Sequence, residues 1–401
     1  MNICVANAFF PPHVSGTARG AFLLSKGLSA RGHHTVVVTT RPKGTHVMER
    51  YGDVTVYRLR SVRYPKLEML HNALLYYSFL PENFIVLLSI LKRHRIDIVH
   101  AYGQFFDLTL MMVLACRLLK IPIVLTIGTR MEHTQWLYNS LFFAAEKTLI
   151  KHLVARRTDM IIALDRLMRN YVVDRYDIRE ASIRFIPVAV DVGRLENCDG
   201  TAVRKKWNVN TEDHIILSLG NVSNLRSPVS LIRAIPDVLK KFPDSKVMFV
   251  GSMYSREGVQ LVDRLGLSRS VIFCGRVDYD MVPSYLGACD VEAHDLEFGS
   301  GIGLASLEAM ASGKPVLSSA NEDNFMDLRL GNWKDIVLVE PGNSQAISEA
   351  IVKLFSDREL AARIGENGRR YVKEHLSVEA ICAKHEGLYS QMLDERGTKR
   401  R

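Results

Sequence analysis

The sequence predicts an α/β protein of two Rossmann-like domains, each a doubly wound parallel sheet. Three observations carry this expectation. At 401 residues the chain exceeds what one ordinary hydrophobic core organises, so two domains of roughly 200 residues are expected. Short apolar runs alternate with segments of helical period through both halves, which is the pattern of βα units. Between the halves, from Asp191, the stretch DVGRLENCDGTAVRKKWNVNTEDH turns polar and irregular, as a linker does. The expected divisions are 1–192, 193–377, and a last helix with its tail over 378–401.

In chain order, Ile3–Phe10 reads as a first core strand, because NICVANAFF has no basic region before it and so does not read as a signal peptide. Pro11 and Pro12 stop that strand and Gly16 permits a tight turn. Ala18–Leu28 then has helical period, and Arg31-Gly32-His33 closes the helix before a strand over Thr35–Thr40. Further strands are expected at Val54–Leu59, Ile98–His100, Ile121–Ile127, Met160–Ala163 and Arg184–Pro187. Past the linker, Ile215–Gly220, Lys246–Gly251, Val271–Gly275 and Asp335–Val339 read as strands, with helices at Val229–Phe242 and near Glu257–Leu265. The C-terminal stretch is almost wholly helical, with Val378–Leu393 as the last helix and Asp394–Arg401 as a charged, frayed tail.

Composition narrows the classes of function. Six cysteines are scattered without a CxxC pair, which suits a reducing cytosol and gives no metal site. Apolar runs stop short of the ~18 residues that suggest a membrane span. Net charge is +9 and unevenly placed: 26 Lys and Arg against 15 Asp and Glu up to Glu196, then 26 against 28. A basic first half suits an anionic substrate, an anionic membrane surface or nucleic acid. With no helix-turn-helix, zinc finger or aromatic RNA-binding motif, nucleic acid is the weakest of these. Between Arg58 and Arg95 seven basic residues bracket LLYYSFL and FIVLLSIL, which read either as buried helices with solvated basic ends or as a surface resting on anionic lipid. His100, in IVHAYGQ, is expected at the carboxyl edge of its strand, where ligands of parallel sheets collect.

The stretch with the strongest functional signal is Asp290–Ala320, DVEAHDLEFGSGIGLASLEAMASGKPVLSSA. Gly299, Gly301 and Gly303 allow close approach of backbone to a ligand, and LASLEAMAS reads as a helix that Gly313 ends. Its N-terminus presents free N–H groups that hold a phosphate or diphosphate without a lysine or metal. Glu308, in the second turn, would reach sugar hydroxyls beside that anion. A plain loop–helix–strand unit with an exposed glutamate is the alternative.

The order of these residues, from the glycine pair through LEAMA to small-Gly-x-Pro-Val, resembles the C-terminal signature of family 4 glycosyltransferases, which have the GT-B fold. That family carries two glutamates with seven residues between them. Here Ser300 stands at the first position, with Glu297 three residues earlier, and Glu308 at the second. PPHVSGTARGAFLLSKGLSARGHH resembles the N-terminal signature, with Ser15 in place of the first glycine. The resemblance implies that Gly16 approaches the donor diphosphate and that Arg19 is an anion partner. Where the family has a diphosphate-binding arginine and, five residues later, a lysine, this chain has Asn221 and Arg226. Where it has a histidine near the reacting sugar there is Gly128, with His133 as the nearest substitute in a loop shared by Arg130 and Glu132. Arg276 follows the strand Val271–Gly275, and its planar guanidinium could stack on a nucleobase.

The expected enzyme is thus a cytoplasmic, retaining GT-B glycosyltransferase, peripheral on the inner face of the membrane. It takes a nucleotide-diphosphate sugar as donor and a hydroxyl acceptor, lipid-linked in one reading, with no metal, no other cofactor and no nucleic acid. Expected catalytic residues are His133, Arg226 and Glu308. The donor side takes Gly16, Arg19, Asn221, Arg226, Arg276, Glu297, Ser300, Gly301, Ile302, Gly303, Leu304 and Glu308, and the acceptor side His100 and Arg130. A GT-B sugar-nucleotide epimerase and a non-catalytic binding subunit stay open, because Ser300, Asn221 and Gly128 depart from the family's residue types.

Overall fold

The computed structural model describes residues 1–13, 15–64, 76–132, 135–223, 226–299 and 301–400. They form two compact units, Met1–Ala189 with Val378–Arg401, and Val190–Ser377. Among the described residues, no helix is long and apolar enough to cross a membrane.

The first unit runs β1 (Asn2–Asn7), α1 (Gly16–Ala30), β2 (His34–Thr40), β3 (Met48–Tyr51), β4 (Val54–Leu59), β5 (Val62–Arg63), β6 (Tyr76–Tyr77), α2 (Pro81–Arg93), β7 (Ile98–Tyr102) and α3 (Asp107–Leu119). It continues with β8 (Ile123–Ile127), α4 (Trp136–Ala145), a π turn at Glu146–Ile150, α5 (Lys151–Leu153), β9 (Met160–Ala163), α6 (Arg166–Tyr176) and β10 (Ile183–Phe185). The main sheet has the order β10-β9-β8-β7-β1-β2-β4-β3. Every pairing is parallel except β3 with β4. β7 and β8 are buried along their whole length, as strands covered on both faces must be. Cys4, Ala6, Val36, Val38, Val99 and Ala101 pack with residues of α2, α3 and α6. The C-terminal helix (Val378–Arg400) lies on α1, where a Cβ on Gly27 would stand 2.4 Å from Cys382 Sγ. Close approach of the two helices therefore requires the glycine.

Three expectations change here. The edge strand β3 was not foreseen, because MERY carries charge and little apolar alternation. Arg58 does not belong to a solvated basic surface: its side chain is fully buried, paired with Glu49 at 2.9 Å and bonded to the Pro11 carbonyl. The tail is helical to Arg400, anchored where Arg396 reaches Asp159 at 2.6 Å and the Lys120 carbonyl at 3.1 Å.

The second unit runs α7 (Thr201–Lys206), β11 (Ile215–Leu219), α8 (Val229–Lys241), β12 (Lys246–Val250), α9 (Glu257–Arg264), β13 (Val271–Gly275), α10 (Val282–Ala288), β14 (Val291–Ala293), α11 (Leu304–Ala311), β15 (Val316–Ser318), β16 (Val337–Leu338), α12 (Ser344–Ser356) and α13 (Arg358–His375). Its sheet, in the order β13-β12-β11-β14-β15-β16, is parallel throughout. Ile216, Val247, Phe249, Val291 and Leu317 build the core against Ile232, Ile235, Ile347 and Ile351 of α8 and α12. Val190 N donates to the Leu376 carbonyl at 2.8 Å, so the points where the chain enters and leaves this unit are clasped together.

Strand order fixes where a ligand can sit. In the second unit the chain steps outward from β11 through β12 to β13, then returns to the other side of β11 with β14. The loops after β11 and β14 diverge there and leave a crevice at the strands' carboxyl ends, the preferred ligand position in open α/β sheets.

Candidate active site

In the second-unit crevice Ser218, Val222, Arg226 and Ser227 line one cleft with His294, Asp295 and Leu296, and the chain runs on from there to α11. At Gly220, φ is +153° and an added Cβ would lie 2.4 Å from His294 Nε2, so only glycine lets the two loops close on one another. His294 Nδ1 stands 3.3 Å from Ser218 Oγ. Burial, and then the Arg226 charge, hold the imidazole down at about 3, which keeps it neutral at physiological pH. Arg226 is exposed, with Nε 3.8 Å from the Asp295 carboxylate, and Ser227, Pro228, Ala293 and Leu296 complete the lining of this cleft. Asn221 is not aimed at a ligand through its carbonyl oxygen, which accepts from Ser252 N at 3.0 Å and ties the β11 loop to the β12 loop.

Gly303 is the N-cap of α11, in extended conformation and without a side-chain cap. It is exposed and nothing lies within 4 Å of an added Cβ, so the first turn of the helix keeps its N–H groups open to a guest. Ile302 is buried beneath this turn and anchors it, with Gly301 and Leu304 half-buried on either side. Ser300 lies outside the described residues. Glu308 follows on the same helix, 5 % exposed, and accepts from the Tyr279 hydroxyl. The Tyr279 ring is itself clamped, with Arg194 Cζ 3.8 Å from its centre and the Arg194 guanidinium bonded to the Tyr279 carbonyl. An Arg194–Tyr279–Glu308 chain thus fixes the carboxylate. Arg276 is exposed just past β13.

Glu297 does other work than the expected donor contact. Its Oε2 accepts from Ser230 N at 2.9 Å and from the Ser230 hydroxyl, so the carboxylate closes the N-terminus of α8. Beneath α11, Glu292 on β14 is fully buried, with the Ser306 hydroxyl and the Leu219 backbone near its carboxyl. Burial pushes that carboxyl up to about 8, opposed by the nearby Ser306 hydroxyl, and it is protonated at neutral pH.

Of the first-unit residues, Gly16 is the exposed first residue of α1, and Ser15 caps that helix by accepting from Ala18 N at 3.2 Å. Serine in the glycine's place therefore supplies a cap. Arg19 is half-buried, its Cζ 5.5 Å from the Phe22 ring centre. Arg130 is paired with Glu132 at 3.4 Å. His133 lies outside the described residues. His100 is a correction: β7 extends to Tyr102, which leaves His100 in mid-strand with no exposed surface. Its Nε2 is 2.6 Å from Thr126 Oγ1 and its Nδ1 meets the Tyr389 hydroxyl. Burial, with His385 alongside, holds it neutral, so it serves the core rather than an acceptor.

Sequence reasoning missed Arg194, Tyr279, Glu292, His294 and Asp295. Only the glutamate carried a signal, a carboxylate inside an apolar strand. Among the described residues, no group of three or more His, Cys, Asp or Glu could hold a metal ion.

Two family profiles tile the chain. "Glycosyltransferase Family 4" matches residues 14–194 and "Glycosyl transferases group 1" matches residues 199–371. The chain belongs to the family 4 glycosyltransferases and has the GT-B fold. It is similar to the crystal structure of Anabaena HepE in complex with UDP, with a TM-score of 0.73 at 19 % identity, over 98 % of this chain and all of that one (100 %). Among curated proteins it is 26 % identical to an alpha-monoglucosyldiacylglycerol synthase of Streptococcus pneumoniae, over 77 % of this chain and 69 % of that protein. It is 23 % identical to a GDP-mannose-dependent alpha-(1-6)-phosphatidylinositol monomannoside mannosyltransferase of Mycobacterium tuberculosis, over 94 % of each. The chain is therefore a glycosyltransferase.

Proposed function

We propose that this glycosyltransferase moves a hexosyl group from a nucleoside-diphosphate sugar to a hydroxyl of a lipid-linked acceptor, with retention and without a metal. The observation that carries the reading is the uncapped start of α11, with Glu308 farther along the same helix and Arg226 beside Asp295 on the loop that leads to it. The open N–H groups take the diphosphate and Arg226 adds a forked cation, so charge growing on the leaving group meets fixed dipoles and a guanidinium. Glu308 holds the nucleoside ribose. The anomeric C–O bond to the β-phosphate breaks while a C–O bond to the acceptor forms on the same face, and the acceptor proton passes to the departing phosphate oxygen. The departing phosphate oxygen keeps the electron pair of the broken bond; neutral His294 supplies no charge to it and packs the loop that carries Arg226.

A lipid acceptor is supported by the acceptors named for the two curated relatives and by the basic first half. The test is nucleotide release from UDP- and GDP-sugars, with diacylglycerol or phosphatidylinositol acceptors, with and without EDTA. Acceptor-dependent release that survives EDTA is the expected result. An altered sugar without release would make the chain an epimerase, and binding without turnover a partner subunit.

A further inference from the structure

The first unit carries an exposed apolar helix surface on α4. On α4 and the π turn after it, Trp136 is 79 % exposed, and Leu137, Leu141, Phe143 and Leu149 are each at least half exposed. Phe142, one step round the helix, is buried and holds the element to the unit. A soluble surface rarely gathers such residues on adjacent turns.

Charge identifies the occupant. From Gln135 to Arg157 the one acid, Glu146, is fully buried and accepts from the Tyr176 hydroxyl at 2.6 Å, while Lys147, Lys151, His152, Arg156 and Arg157 follow the apolar turns. From α6, Arg175 lies 4.4 Å over the Phe143 ring, Lys147 bonds the Asp174 carbonyl, and Asp177 pairs with Lys151 at 3.5 Å and Arg156 at 2.6 Å. The balance of the face remains basic. Two copies meeting through it would bring like charges together.

We propose that α4 and the turn after it lie on an anionic bilayer, with Trp136, Leu137, Leu141 and Phe143 entering the interface and the basic residues beyond them facing lipid phosphates. This deepens the lipid-acceptor reading above and rests on it for its purpose, but its test is separate. Purified full-length chain is sedimented with phosphatidylglycerol-containing and with pure phosphatidylcholine vesicles, at low and high salt. The variants are Trp136→Ser/Leu137→Ser/Leu141→Ser and, on the exposed side of α2, Ile85→Ser/Val86→Ser. Because all these side chains are exposed, thermal unfolding of both variants should match the wild type.

The expected result is anionic-vesicle binding that high salt weakens, that falls at least about tenfold (about 1.4 kcal/mol) in the α4 variant, and that persists in the α2 variant. Equal binding by the α4 variant and the wild type overturns the proposal. So does a wild type that ignores anionic vesicles, or one whose dimer the α4 variant dissociates without change in vesicle binding. Transfer to a water-soluble hydroxyl acceptor by the α4 variant is expected to continue. Failure of the wild type to transfer to any acceptor would remove the catalytic reading while the vesicle result stood by itself.

Discussion

Two glutamates close together in sequence are separated in role by their neighbours. Glu308 is buried on α11 and held by Tyr279, whereas Glu297 closes the N-terminal end of α8. Glu308→Ala should weaken donor binding by ~1.5–3 kcal/mol, the worth of a hydrogen bond to a charged group. Glu297→Ala should leave donor affinity unchanged and cost about 1 kcal/mol of stability as a lost cap. Calorimetric titration with a nucleotide sugar and thermal unfolding read the two effects separately. The resemblance to the family pattern pointed to Glu308 in sequence, and the structure buries it against Tyr279. Nothing in sequence could show that Ser230 would occupy Glu297, because the two residues meet only when β11 and β14 become neighbours.

Arg226 is the exposed cation of the crevice, and its nearest partner, Asp295, is 3.8 Å away. If it stabilises the leaving diphosphate, Arg226→Ala should lower kcat by a larger factor than it raises the donor KM, because that charge grows in the transition state. Arg226→Lys should recover part of kcat. Steady-state kinetics with varied donor checks both.

Glu292 makes a pH prediction with a definite sign. Its folded pKa of about 8 lies above the ordinary 4.5, so the native state keeps a proton that the unfolded chain releases between those values. Stability contributed by this group therefore falls as pH rises through that window, by up to about 1.4 kcal/mol per unit. Glu292→Gln should flatten the dependence. Urea unfolding at about pH 5 and about pH 8 measures it, and equal slopes for variant and wild type would refute the assignment.

At the scale of elements, helix packing in the first unit depends on one missing methyl group. Gly27→Ala would put a Cβ 2.4 Å from Cys382 Sγ and 2.7 Å from Val378 Cγ1, an overpacking that should cost about 1–3 kcal/mol. Adding Cys382→Ala should return part of that stability, measured by chemical denaturation. Elements of this kind were largely legible: β4, β9 and β13 fall where their Val- and Ile-rich runs put them. β3, β14 and the end of the last helix were not. β3 is a charged edge, β14 hides behind its buried Glu292, and the last turns of the C-terminal helix looked frayed because the anchors of Arg396 lie far away in sequence.

For the molecule as a whole, two sheets could be read from alternation alone, and the switch-point crevice follows from their strand order. The chain's route between them has a further consequence. The second unit is one continuous segment, Val190–Ser377, while the first needs both Met1–Ala189 and the helix from Val378. During synthesis the ribosome therefore delivers everything the later unit needs before it completes the earlier one. Nascent chains arrested so that only the helix from Val378 is still inside the exit tunnel should resist protease across the second unit and remain cleavable in the first, with Tyr389 not yet present to cover His100. Equal protection of both units in such chains would mean that the first sheet holds without its last helix. If the expected order is seen, the N-terminal half waits longest in the open, and its exposed Val and Ile strands are where chaperones would be needed.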